Sequence, residues 1–163
     1  MKKYILILLG MLVSVSLFSQ KLSNKERELL FGEKIKELVD AKRFAMDINR
    51  ASDEKGRNYA LYPSYEIRIV GDTIKTVLPF YGTSIGAGYD VDNNRFILNQ
   101  PYEEYSVKYK DKKGYNIYFK VRSNKDTFVF RISITLAGNV RVGVTSMNNS
   151  PMNYVGDFKL IEE

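Results

Sequence analysis

From Tyr115 to Val144 apolar and polar residues alternate almost without interruption. Tyr115, Ile117, Phe119 and Val121 are interleaved with Asn116, Tyr118, Lys120 and Arg122; Phe128, Phe130, Ile132, Ile134 and Leu136 then give the longest such run, and Val140, Val142 and Val144 follow. A period of two marks strands with one face on a core and the other in water. Polar turns at Ser123 to Asp126 and Ala137-Gly138-Asn139 separate them. The apolar face is expected to lie on the core, leaving Tyr118, Lys120, Arg122, Arg131, Ser133, Arg141 and Thr145 outside.

The same period extends to both sides. Phe44, Met46 and Ile48 alternate with Ala45, Asp47 and Asn49, and Tyr65, Ile67 and Ile69 with Glu66 and Arg68. Gly71-Asp72 supplies a two-residue turn, because Gly takes a positive φ without a Cβ clash. Ile74, Thr76, Leu78 and Phe80 then share one side of a strand that must end, bulge or lie at an edge near Pro79, which has no N–H for a ladder. Phe96-Ile97-Leu98 reads as a brief strand, Tyr105, Val107 and Tyr109 as another, and the last carries Tyr154, Phe158 and Leu160.

Near the N-terminus the period is helical. Leu29, Leu30, Ile35, Leu38 and Val39 form an apolar stripe behind a Ser23 to Glu26 capping box, predicting one amphipathic helix from about Asn24 to Lys42. The expected fold is α+β, mainly β. The helix packs on an antiparallel meander of about eight strands, as a sandwich or a partly closed barrel.

Leu78-Pro79-Phe80-Tyr81-Gly82, following Gly71-Asp72, and the closing run from Ser146 to Gly156, with its Tyr154-Val155-Gly156, together resemble a family of small exported bacterial proteins known as domain-of-unknown-function family 4251. The chain departs from that family's pattern near Asn149, where an Arg is usual. The resemblance implies an exported single domain with no assigned activity, and it brings no catalytic residues.

Composition narrows the chemistry. The 163 residues make one domain's worth of chain, with 12 Tyr, 9 Phe and no Trp. There is no Cys and no His. Ser-His-Asp and Cys-His catalysis are therefore excluded, and a zinc site would have to rest on carboxylates alone. No cofactor is expected. Lys2 and Lys3, the apolar run from Tyr4 to Val13 and the small Ser14, Ser16 and Ser19 before Gln20 read as a secretory signal peptide over 1–20, leaving a single domain over 21–163. The run ends near Phe18, short of the roughly 20 residues that span a bilayer, so no transmembrane segment is expected after cleavage. Export to the periplasm or beyond follows. Of 25 basic residues, less Lys2 and Lys3, 23 stand against 19 acidic ones, a charge of +4 scattered among acids. Nucleic acid is therefore not an expected partner; an envelope component is.

Candidate binding residues follow from the outer face. Register would cluster Lys120, Arg131 and Arg141 beside Tyr118 for an anionic or sugar-like ligand, unless the cations pair with Glu103, Glu104 or Asp157. Tyr81 precedes, and Tyr89 lies within, the glycine-containing stretch from Gly82 to Asn94, a candidate ligand-facing loop. Asp90, Asp92 and Asn94 match the first three ligand positions of a calcium loop, but Arg95 stands where Gly is required and Pro101 where a bidentate Glu is required. Glu103 and Glu104, as strand neighbours, should point to opposite faces and fail as a glycosidase pair. The expected function is a non-enzymatic, exported binding module for a protein, glycan or small amphiphile. The alternatives are a barrel-like carrier of an apolar ligand and, behind it, a carboxylate-dependent glycoside hydrolase.

Overall fold

A computed structural model describes residues 24–84, 91–92, 94–110, 113–124 and 126–161. Its elements are helix α1 (Asn24–Asp40), then β1 (Arg43–Asp53), β2 (Asn58–Val70), β3 (Thr73–Pro79), β4 (Val91–Asp92), β5 (Arg95–Lys110), β6 (Gly114–Arg122), β7 (Thr127–Ile134), β8 (Asn139–Ser146) and β9 (Met152–Lys159). The described strands run β3-β2-β1-β9-β8-β7-β6-β5, and a further β3–β5 pairing joins the two ends. Every pairing is antiparallel. The result is a closed barrel of eight strands, with two-residue β4 lying against the start of β5. Of the architectures open to the sequence, closure is the one that leaves no free sheet edge.

Closure depends on β5. Phe96 and Leu98 do not form a separate short strand from Tyr105 and Tyr109; all lie on one 16-residue strand. Arg95 to Pro101 pair with β3, and Tyr102 to Lys110 pair with β6. Between Glu103 and Ser106 the register shifts, and Glu104 takes φ 55°. That bulge turns the strand from one neighbour to the next, as bulges do at barrel corners. It also overturns the expectation for Glu103 and Glu104, which both end up exposed outside the barrel, ion-paired to Arg122 and Lys120 respectively.

The alternation from Tyr115 to Val144 is realised as expected, with Phe128, Phe130, Ile132, Val140 and Val142 buried. Phe119 stacks on Phe130 with ring centroids 5.0 Å apart, and Phe96 meets Phe128 edge-on at 5.3 Å. Eight strands enclose an interior about wide enough for side chains to fill, and these rings fill it. The apolar-ligand carrier therefore finds its interior occupied by the chain's own Phe96, Phe119, Phe128, Phe130 and Tyr154.

Helix α1 covers one end of the barrel. Ile35, Leu38 and Val39 are buried, but Leu29 is 58% and Leu30 51% exposed, so only the C-terminal half of the expected stripe reaches the core. Leu160, expected in the last strand, lies beyond β9 and is exposed. Ser23 of the expected capping box lies outside the described residues. Among the described residues no helix is long and apolar enough to cross a membrane.

Candidate functional site

The outer face of β6, β7 and β8 carries the residues anticipated from alternation. Tyr118 pairs in register with Arg131, and Arg141 with Ser133. The three cations do not converge. Lys120 Nζ is held 2.7 Å from Glu104, where the β5 bulge delivers that carboxylate. Arg131 leans the other way, its guanidinium 5.8 Å from the centre of the Tyr118 ring and Nη1 3.4 Å from Thr145 Oγ1. Arg141 is one strand further on and exposed. A depression of about 430 Å³ remains beside them, lined by Ser106, Lys108, Asn116, Tyr118, Arg131 and Ser133. Arg131 already lies over Tyr118, so the ring is not a bare stacking platform.

At the barrel end opposite the helix, the segments that carry the family resemblance meet. Tyr154 Oη donates to the Pro79 carbonyl at 2.9 Å, Thr83 N donates to Ser150 Oγ, and Ser84 Oγ donates to Asn149 Oδ1. Asn149 in turn donates its amide to buried Asp126 at 2.9 Å, and Asp126 also accepts from the backbone N–H groups of Thr127 and Met147. Position 149 thus ties three loops together through neutral hydrogen bonds and one satisfied carboxylate. Tyr81 stacks on Tyr59, ring centroids 4.0 Å apart, on the outside of this end. Tyr89 and Asp90 lie outside the described residues. Asp92 belongs to β4, and Asn94 takes φ 59° while its carbonyl accepts from Phe80 N.

An apolar concavity lies elsewhere, between α1 and the barrel rim. Its volume is about 290 Å³, and it is lined by Glu28, Leu29, Gly32, Glu33 and Lys36 of the helix, Tyr109 and Tyr115 of the β5–β6 hairpin, and Leu136 of the β7–β8 turn. The helical residues fall at i, i+1, i+4, i+5 and i+8, which places them on one face. Gly32 faces Leu136: a Cβ there would sit 3.6 Å from Leu136 Cδ2, in ordinary contact. Leu29, one turn earlier, is exposed. Tyr109 and Tyr115 are direct cross-strand partners, so their rings share one face, with centroids 5.1 Å apart and planes inclined at 45°. Tyr115 is buried, which raises its phenol above the ordinary value. Tyr109 is half open.

The charges at this rim are uneven. Lys36 binds Asp40 on its own helix at 2.5 Å, and that hydrogen bond raises its ammonium above the usual lysine value. Among the described residues Glu28 and Glu33 enter no ion pair. An apolar floor, two aromatic walls and unpaired carboxylates can hold an apolar tail and favour a positive head. Pattern reading assigned Leu29 to the core and passed over this groove. The available signal was Gly32, a residue that costs a helix interior about 1 kcal/mol and calls for a packing or functional reason.

No curated protein matches this chain. Among solved structures, a crystal structure of a DUF4251 family protein from Bacteroides eggerthii DSM 20697 superposes with a TM-score of 0.59 over 79% of this chain and 87% of that one. Sequence identity is 12%, so the likeness is one of fold. The family pattern described as a domain of unknown function (DUF4251) matches residues 26–158, from the second residue past the start of α1 almost to the end of β9. This chain, a helix-capped eight-stranded barrel, belongs to the DUF4251 family.

Proposed function

We propose that this domain is a non-enzymatic binding module exported to the cell envelope, and that it holds a small amphiphile in the groove between α1 and the barrel rim. The groove carries the reading. It joins an apolar lining from Leu29, Leu136 and Tyr115 to a charged margin, the combination expected of a small-molecule site. Its volume lies at the small end of ligand pockets, roughly 300–1,000 Å³, so one short alkyl or aryl tail is the appropriate load. The N-terminal leader pattern supports export, and a chain without Cys or His lacks a thiol nucleophile and the commonest general base.

Isothermal titration of the mature chain, residues 21–163, with a nonionic decyl glycoside below its micellar concentration tests the site. The expected result is saturable one-to-one binding that Gly32→Leu abolishes, because a leucine there fills the groove. The substitution also raises helix propensity by up to about 1 kcal/mol, so the variant should remain folded. Unsaturable binding, or equal binding by Gly32→Leu, would overturn the assignment.

A further inference from the structure

We infer that the ligand of this groove carries a positive head, an alkylammonium or related amine on an apolar tail, recognised jointly by Tyr109, Tyr115, Glu28 and Glu33. The inference rests on the groove being the binding site and adds the charge class of what enters it.

Two independent features converge on a cation. The first is aromatic. Tyr109 and Tyr115 stand opposite each other in the β5–β6 ladder, rings inclined at 45° and 5.1 Å apart, so together they form a two-walled corner. Ring faces carry negative potential, and ammonium groups seat against such corners with a gain that grows as the site loses water. Tyr115 is 4% exposed, so its side of the corner is largely dry.

The second feature is charge. Among the described residues, Glu28 and Glu33 line the groove with no ion pair to either of them, whereas the lining cation Lys36 is bound to Asp40. The lining therefore presents two carboxylates without an ion-pair partner among the described residues. An anionic head would meet both carboxylates and the negative ring faces; an ammonium head would be attracted by all four groups. The tail has its own place against Leu29 and Leu136, where the helix overhangs the rim and Leu29 is 58% exposed.

The test compares heads on a constant tail. Decyltrimethylammonium, a nonionic decyl glycoside and decyl sulfate are titrated into the mature protein below their micellar concentrations. The ammonium is expected to bind about tenfold tighter than the glycoside, and the sulfate weakest. Three controls bear on the cause. Combined Glu28→Gln and Glu33→Gln should narrow the ammonium advantage over the glycoside several-fold. Tyr109→Leu, at a half-exposed position, should do the same by removing a ring face while keeping an apolar wall. Added salt should weaken the ammonium and spare the glycoside. Equal affinity for all three heads, preference for the sulfate, or an ammonium advantage untouched in the Gln and Leu variants would overturn the charge assignment while leaving the amphiphile site standing. Failure of all three to bind, or binding unaffected by Gly32→Leu, would overturn the site as well.

Discussion

Tyr154 donates its phenolic hydrogen to the carbonyl oxygen of Pro79, 2.9 Å away and 75 residues earlier in the chain. The bond runs through the core from the last strand to the end of β3, and both partners are buried. Pro79 ends β3 because it has no N–H to continue the ladder, and Tyr154 supplies the carbonyl with a donor. Tyr154→Phe should therefore destabilise by about 1–3 kcal/mol, since it strands a buried acceptor while preserving ring packing. Urea denaturation of the two proteins measures this; a difference below about 0.5 kcal/mol would mean that the carbonyl has another donor.

Two glycines should respond oppositely to the same change. At Gly156 a Cβ would collide with the Asp47 carbonyl of neighbouring β1, next to the register shift between Ile48 and Arg50. Gly156→Ala should cost about 1–3 kcal/mol as overpacking that side-chain motion cannot relieve, because the obstacle is backbone. At Gly143 the nearest atom is Asn153 Oδ1, at 3.5 Å, so Gly143→Ala meets only ordinary contact. It should be neutral or stabilising by up to about 1 kcal/mol through the unfolded chain's lost freedom. Thermal denaturation of both variants checks the contrast, and equal losses at both would contradict the inward and outward assignment of β8 and β9.

Neighbours across the β3–β5 seam provide a sharper test of facing. Leu78 is fully buried, and Ile97, on the strand paired with β3, is 50% exposed on the outside. Leu78→Ala should cost about 2–5 kcal/mol, and Ile97→Thr less than about 0.5 kcal/mol. Comparable losses by urea denaturation would show that the two faces of the β3–β5 seam have been exchanged.

The strands that are sequence neighbours were legible because alternation and turn chemistry are local. Gly71, with φ 58°, makes the predicted two-residue turn between Val70 and Thr73, and Ile132 and Val142 face inward as their spacing requires. Closure was not legible. It depends on the β1–β9 and β3–β5 pairings, whose partners are far apart in sequence, and on a bulge at Glu104 that looks like ordinary alternation until φ turns positive. On the outer face Lys120 takes the alternative the sequence left open, pairing with Glu104. Register brought Arg131 to Tyr118 as expected, but the bulge aimed Glu104 at Lys120. The groove was missed because helical periodicity shows which residues share a face and not how far the partner surface extends. Leu29 lies on the correct stripe and beyond the end of what that stripe covers.

Tyr105 carries a hydroxyl that is buried and, among the described residues, has no hydrogen-bond partner. Its ring stacks on Tyr102 at 5.0 Å and lies 5.0 Å from Lys42 Nζ, contacts that a phenylalanine keeps. Tyr105→Phe should be neutral or stabilising by up to about 1–3 kcal/mol, since it deletes an unsatisfied group without altering the packed shape. A measurable loss of stability would reveal a partner for the hydroxyl.

Three buried phenols should make this barrel sensitive to alkali. Burial, reinforced by the charge of Asp72, pushes Tyr102 up to about 12, and burial raises Tyr105 and Tyr154 as well. In the unfolded chain these phenols lose their protons near the ordinary tyrosine value, about 10. Above that pH the unfolded state binds fewer protons than the folded one, so stability falls as pH rises. The contribution is fully present below about pH 10 and is lost progressively as pH rises towards 12. Tyr102→Phe isolates one such group. It removes the hydrogen bond to the Gly71 carbonyl, which lowers stability at every pH, but it should also flatten the decline between pH 10 and 11.5. Urea midpoints across that range give the slopes, and tyrosinate absorbance of the folded protein should show a fraction of the tyrosines ionising late. Parallel slopes for the two proteins, with every folded tyrosine titrating near 10, would mean that water reaches Tyr102 and that this end of the barrel is looser than its packing indicates.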